Sequence, residues 1–265
     1  MPFAERAGGR LHFEVAGTND PTLVFVPGWC CDMSCFQPQF DHFRGSHRVV
    51  GVDLPGFGES SVSHHTFEVA AFADDVAWLC GHLGISKPII VGHSLTGAVA
   101  IEVGARHRSL PAAIVALDPI PVVSPRQQHD AFGPFAEQLE GPGGESVRRG
   151  FVENMCFAAT DDAGRKRRVT ELMCSVPITT AASAIRRMLD WDGATALREC
   201  EAPVLVLMAG FGGMNDPASL RAIKPHIHMG VTVGSGHFHQ LEVPDQVTAM
   251  IERFIHVAVP ASATT

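Results

Sequence analysis

The sequence predicts an α/β fold: a mostly parallel central sheet flanked by helices, interrupted once by an inserted helical unit. Three observations predict it. Short continuous apolar runs, the form taken by strands buried on both faces, recur along the chain. Segments with helical spacing separate them, as in successive strand–helix units. Between Pro119 and Glu201 the strand pattern stops, and about 80 residues of helical pattern take its place.

In chain order, Leu11 to Val15 alternates apolar and polar, the pattern of a half-exposed edge strand, and Thr22 to Pro27 reads as a buried strand ending in Pro-Gly. His47 to Asp53 repeats that form and runs into LPGFGES, a Gly/Pro-rich loop. Phe67 to Leu83 has apolar residues at helical spacing. Pro88 to Gly92 is a third buried strand, Leu95 to Arg106 a small-residue helix, Ala112 to Leu117 a fourth strand and Pro203 to Met208 a fifth. The insertion enters through PIPVVSP, extended by its prolines, and its helical segments fall around 145–158, 165–175 and 180–190. His228 to Val233 is the last strand, Pro244 to Val257 the closing helix, and PASATT a frayed tail. The core therefore comprises residues 1–119 and 201–265, and the inserted helical cap residues 120–200.

A chain of 265 residues is one large domain, or a core domain with a small insertion. It is 46% hydrophobic and only 18% charged, which excludes disordered, collagen-like and coiled-coil architectures. A net charge of −8 provides no basic field for nucleic acid or anionic lipid. A small-molecule substrate is the expected partner, with neither nucleic acid nor membrane; oligomeric state stays open. The seven cysteines (30, 31, 35, 80, 156, 174 and 200) are odd in number, lack a CxxC pair and read as a reduced set. No apolar run reaches signal-peptide or spanning length, so the expected location is the cytoplasm. There are 16 Phe and 3 Trp but no Tyr, so no mechanism can use a phenol as proton donor.

The third strand runs directly into Gly92-His-Ser-Leu-Thr-Gly97 and then into a helix. A serine at the apex of a strand–turn–helix has its hydroxyl thrust out above the sheet. The N–H of the next residue, Leu95, lies at a helix N-terminus, placed to stabilise an oxyanion. Thr96 stands where the usual G-x-S-x-G pattern has its second glycine. Serine needs a base, and His237 lies in a glycine-opened loop between the last strand and the last helix, with His239 as the competing base. Most other histidines, including the loop pair His64-His65, read as surface or half-buried residues. The pairs His226/His228 and His237/His239 lack an evident third ligand, so no metal is expected, and no cofactor.

PGW at 27–29, DLPGFGES at 53–60, VGHSLTG at 91–97 and GSGHFHQLEVPD at 234–245, in that order, resemble the α/β-hydrolase family from Leu11 to Val257. The resemblance implies Ser94 as nucleophile, His237 as general base and acid, and the N–H groups of Trp29 and Leu95 as the oxyanion hole. In such enzymes the acid commonly follows the strand at 203–208, where the matching position is Gly213. Asp216 comes late and reads as a helix cap, whereas Asp118, at the end of the preceding strand, occupies a place some family members use. Asp118 is preferred and Asp216 kept as the alternative. His93, Trp29, Cys30, Phe132, Phe135 and Trp191 are expected to contact substrate, within a cap also carrying Phe151, Met155, Phe157, Met173 and Met188.

The expected activity is hydrolysis of a small apolar ester or lactone through an acyl-enzyme. PGWC also resembles the oxyanion loop of cofactor-free quinaldine dioxygenases, which use the His–Asp pair for deprotonation and further histidines to hold substrate. His93 matches one such place, while Cys31 stands where another would be. A third reading is a small-ligand receptor that has lost turnover. Epoxide-hydrolase-type chemistry is disfavoured, because the elbow residue is Ser94 rather than Asp and no tyrosine is present to protonate an oxide.

Overall fold

In a computed structural model of the chain, which describes residues 2–6, 9–61 and 66–259, eight strands form one sheet. They are β1 (Phe3–Arg6), β2 (Gly9–Ala16), β3 (Leu23–Val26), β4 (Val49–Val52), β5 (Ile89–His93), β6 (Ala113–Leu117), β7 (Val204–Met208) and β8 (His228–Val231). The spatial order is β1-β2-β4-β3-β5-β6-β7-β8. β1 pairs antiparallel with β2 and β2 with β4; the remaining pairs are parallel. His64-His65 and the PASATT tail lie outside the described residues.

The pleat sends alternate residues of each strand to opposite faces, so the continuous apolar runs feed two cores. Val24, Val26, Val50, Val52, Ile90, Ile114 and Val206 face one core, and Leu23, Phe25, Val49, Ile89, Val91, Val115 and Leu205 the other. The first core is covered by α2 (Val69–His82) and α3 (Leu95–Arg106), the second by α1 (Gln37–Phe43) and α11 (Pro244–Ala258). The small residues of α3 let its neighbours approach closely: a Cβ on Gly104 would lie 2.3 Å from Cys200 Sγ.

The insertion contains α4 (Pro125–Glu140), α5 (Gly144–Met155), α6 (Ala163–Ser175), α7 (Ile178–Met188) and α8 (Gly193–Glu199). The first four pack on one another, α4 against α5 and α7, and α5 against α6. α8 packs on α3. α9 (Pro217–Ile223) and the short α10 (His239–Glu242) complete the described elements. Among them no helix is long and apolar enough to cross a membrane.

The chain order reverses between β3 and β5, which are hydrogen-bonded neighbours, and the crevice at the carboxyl ends of such strands is where open α/β sheets bind ligands. The loops carrying Trp29 and Ser94 leave β3 and β5 at that point.

Candidate active site

Ser94 joins β5 to α3 with φ 58° and ψ −121°, a conformation that costs a non-glycine residue of order 1–3 kcal/mol and must be held by its surroundings. Three backbone hydrogen bonds hold it. Ser94 N–H donates to Leu117 O at 2.9 Å, and Ser94 O accepts from Gly97 N–H at 3.0 Å and Ile120 N–H at 3.2 Å. Glycine is required at 92, where a Cβ would lie 2.0 Å from Thr96 O. Gly28 is packed less tightly, its virtual Cβ 3.0 Å from His93 O and 3.4 Å from Ser94 Cβ, so the β3 loop lies against the elbow.

Thr96 has a structural task that a glycine could not perform. Its buried hydroxyl accepts from His93 N–H at 2.8 Å and offers its proton to the carbonyls of Val26 and His93, tying the elbow to β3. Thr96→Val keeps the shape and leaves His93 N–H without its acceptor. The expected cost is about 1–3 kcal/mol in urea unfolding, and a variant as stable as wild type would remove the hydroxyl from this account.

Asp118 ends β6 and accepts from His237 Nδ1 at 2.7 Å through Oδ2, and from Ala209 N–H at 3.2 Å through Oδ1. A carboxylate only accepts, so Nδ1 carries the imidazole proton and Nε2 is left as the basic nitrogen. Asp216 is elsewhere: it is exposed and caps α9, its Oδ2 accepting from Ser219 N–H and Oγ–H at 2.9 and 2.7 Å. Those bonds lower its carboxyl below the usual range. A Cβ on Gly213 would lie 3.9 Å from Asp118 Oδ1, so the position after β7 and Asp118 converge on one place in space. Asn215 fixes the intervening loop by accepting from Val122 N–H and donating to Pro119 O.

Ser94 and His237 line one cavity of about 220 Å³. Trp29, Leu95, Ile120, Phe132, Phe135 and Phe151 form much of its wall, together with Met155, Met188, Phe211 and Met214. Trp29 also anchors the cap, its indole N–H donating to Ala181 O of α7 at 2.9 Å and its ring lying edge-on to Phe135 and Phe151.

Three of the residues expected to contact substrate do not line the cavity. Trp191 is turned toward α3, where its Nε1 donates to Glu102 at 2.9 Å, and it does not line the cavity. Cys30, in the loop after β3, is fully buried near Arg148, and burial pushes its thiol up. His93 is also buried beneath the site, its Nε2–H donating to His237 O at 2.8 Å and its ring 4.5 Å from the His237 ring. Phe157 and Met173 are likewise absent from the wall, whereas Phe211 and Met214 on the Gly-rich loop after β7 had no sequence signal beyond that loop.

Burial holds His93 well below the usual imidazole range, as does its proximity to His237 and His239, so it places no second positive charge beside His237. His239 is lowered by burial to about 4 and shares a hydrogen bond of 3.2 Å between its Nδ1 and Thr232 Oγ1. The paired histidines bond different partners, His237 Nδ1 to Asp118 and His239 Nδ1 to Thr232. Below pH 6.5 the unfolded chain takes up a proton that folded His239 refuses until about pH 4, so stability falls as pH drops through that window. The slope from this group approaches about 1.4 kcal/mol per pH unit. Thermal unfolding at pH 6.5, 5.5 and 4.5 should fall less steeply for His239→Gln; equal slopes would contradict this assignment.

A family model described as the alpha/beta hydrolase family matches residues 23–250. The chain belongs to the alpha/beta hydrolase family. Among curated relatives, this alpha/beta hydrolase is 25% identical over 264 residues to the dihydrolipoyllysine-residue acetyltransferase component of the acetoin cleaving system of Pseudomonas putida, covering 96% of this chain and 69% of that protein. Among solved structures, it resembles a thermophilic esterase from Thermogutta terrifontis, with TM-score 0.83, 24% identity and 95% of each chain covered. The enol-lactonase of Burkholderia xenovorans LB400 gives TM-score 0.81 at 21% identity, covering 96% of this chain and 100% of that one. At these identities the structural likeness is one of fold.

Proposed function

We propose that the protein hydrolyses a small, neutral, apolar carboxylic ester or lactone through an acyl-enzyme on Ser94. The observation that carries this reading is that His237, bonded to Asp118 at 2.7 Å, and a serine held at a strained elbow line one apolar cavity. Ser94 Oγ attacks the carbonyl carbon while His237 Nε2 takes its proton. Asp118 keeps the imidazole in the required tautomer and stabilises the imidazolium. The N–H groups of Trp29 and Leu95 receive the developing oxyanion, that of Leu95 being free of helical bonding as the first residue of α3. His237 returns the proton to the leaving alkoxide, and water, activated by the same nitrogen, releases the acid.

The wall supports an apolar substrate. Apart from Ser94, His237, Cys156 and Trp29, whose indole N–H is spent on Ala181, it consists of hydrocarbon, thioether and backbone. It also disfavours the dioxygenase reading, whose substrate-holding histidines have no counterpart here: His93 faces His237 O, and Cys31 is buried away from the cavity. The esterase and lactonase activities named for the structural relatives agree with the proposal. The seven free cysteines, six of them buried, support a cytoplasmic location.

The acyl group is tested by chain length. Burying two more methylenes is worth about 1.6 kcal/mol, so kcat/KM for p-nitrophenyl butyrate should exceed that for the acetate about tenfold. Equal values, or a preference for the negatively charged hemisuccinate, would contradict an apolar acyl site.

A further inference from the structure

The segment joining α5 to α6 and the loop carrying His237 form one hydrogen-bonded seam between cap and core. His237 N–H donates to Cys156 O at 2.9 Å. Glu242, the last residue of α10, uses a single oxygen, Oε2, to accept from Gly236 N–H at 2.9 Å on the histidine loop and from Ala158 N–H at 3.3 Å on the cap. Phe157 stacks on Phe238, ring centroids 5.3 Å apart and planes 18° from parallel. The two backbones touch: a Cβ on Gly236 would lie 2.5 Å from Ala158 N and 2.6 Å from Phe157 C.

The geometry points to Glu242 as a positioning residue that locks the cap to the His237 loop, so that the imidazole is aligned only while the cap is seated. This rests on the reading of His237 as the base. Glu242 is not part of the cavity wall and touches no reacting atom. Its carboxyl is raised chiefly by burial, offset by the two N–H bonds, and the neighbouring charges are Asp161 and Arg165, which pair with each other. The role belongs to the acceptor oxygen rather than to the charge. An amide oxygen in the place of Oε2 can accept both bonds, whereas alanine leaves both N–H groups without their carboxylate.

Three variants and two readouts test this. Glu242→Ala should lower kcat on p-nitrophenyl butyrate about 10- to 100-fold with KM within about threefold of wild type, the loss expected when a catalytic group shifts by about an ångström. Glu242→Gln should recover most of that turnover. Gly236→Ala changes no charge and wedges the seam apart, so it should behave like Glu242→Ala. Independently of any substrate, the far-downfield proton of His237 Nδ1–H bonded to Asp118 should broaden or vanish in the Ala variants and persist in Glu242→Gln. If Glu242→Ala fails to fold, Gly236→Ala with Glu242→Gln decides. An unchanged resonance and kcat in the Ala variants, or a Glu242→Gln variant as impaired as Glu242→Ala, would overturn the inference. A wild type that cleaves no ester would end the proposed chemistry, and the resonance would still decide this one.

Discussion

Ser94→Ala is expected to lower kcat for p-nitrophenyl butyrate by at least about 10⁴-fold while leaving KM and thermal stability close to wild type. The fold should tolerate it, because every hydrogen bond that holds Ser94 in its left-handed conformation comes from its backbone. Alanine meets the same steric cost at φ 58° as serine, so the elbow closes as before. What is lost is the hydroxyl that, in the proposed mechanism, attacks the carbonyl carbon from the cavity it shares with His237. Steady-state kinetics on the purified variant, with a melting curve beside them, separate that loss from misfolding. Activity retained within tenfold would mean that the covalent step runs elsewhere, or that there is none.

Asp118→Asn should cost about 10⁴ in kcat, because the asparagine amide can donate toward Nδ1 and so stabilise the wrong tautomer, leaving Nε2 protonated and unable to accept from Ser94. Asp216→Asn should stay within about threefold of wild type in both kcat and stability, since asparagine caps a helix about as well as aspartate. Two losses of similar size would contradict the assignment of Asp118 as the acid. The contrast is large because the carboxylates do different things: one is 1% exposed and bonded to the imidazole, the other exposed and bonded to Ser219.

The strands β3 to β7 and the helix α3 were legible because a buried parallel strand is an uninterrupted apolar run and a small-residue helix has an equally plain signature. β1 was not, since its four residues carry no periodic signal and are ordered by antiparallel pairing with β2. α1 begins after the Trp-Cys-Cys loop and spans only seven residues, too short for helical spacing to be read. α8 has the same helical pattern as the rest of the insertion, and the sequence does not record its packing against α3. Ser94 and His237 stand out in the sequence by order and local context, and both line the cavity. The choice of acid stayed open because it is a relation in space: Gly213 and Asp118, on adjacent strand ends, converge on the same point from different parts of the chain. Trp191, Cys30 and His93 lie off the cavity wall for a related reason. Proximity in sequence to the site, or aromatic character in the cap, does not fix which way a side chain turns, and each of these is turned away or buried beneath the cavity. Glu242 gave no sequence signal because its partners are main-chain N–H groups on two loops, which composition does not record.

In the proposed mechanism Ser94, His237 and backbone N–H groups do the chemistry. The most direct measurement is therefore of the covalent intermediate itself. The enzyme is mixed with p-nitrophenyl butyrate, acid-quenched within milliseconds to seconds, digested and mapped by mass spectrometry. A butyryl group on the peptide containing Ser94, absent from Ser94→Ala, is the predicted result. Hydrolysis without any Ser94 adduct and undiminished in Ser94→Ala, or oxygen consumption on a 3-hydroxy-4-quinolone that depends on His237 but not on Ser94, would contradict it.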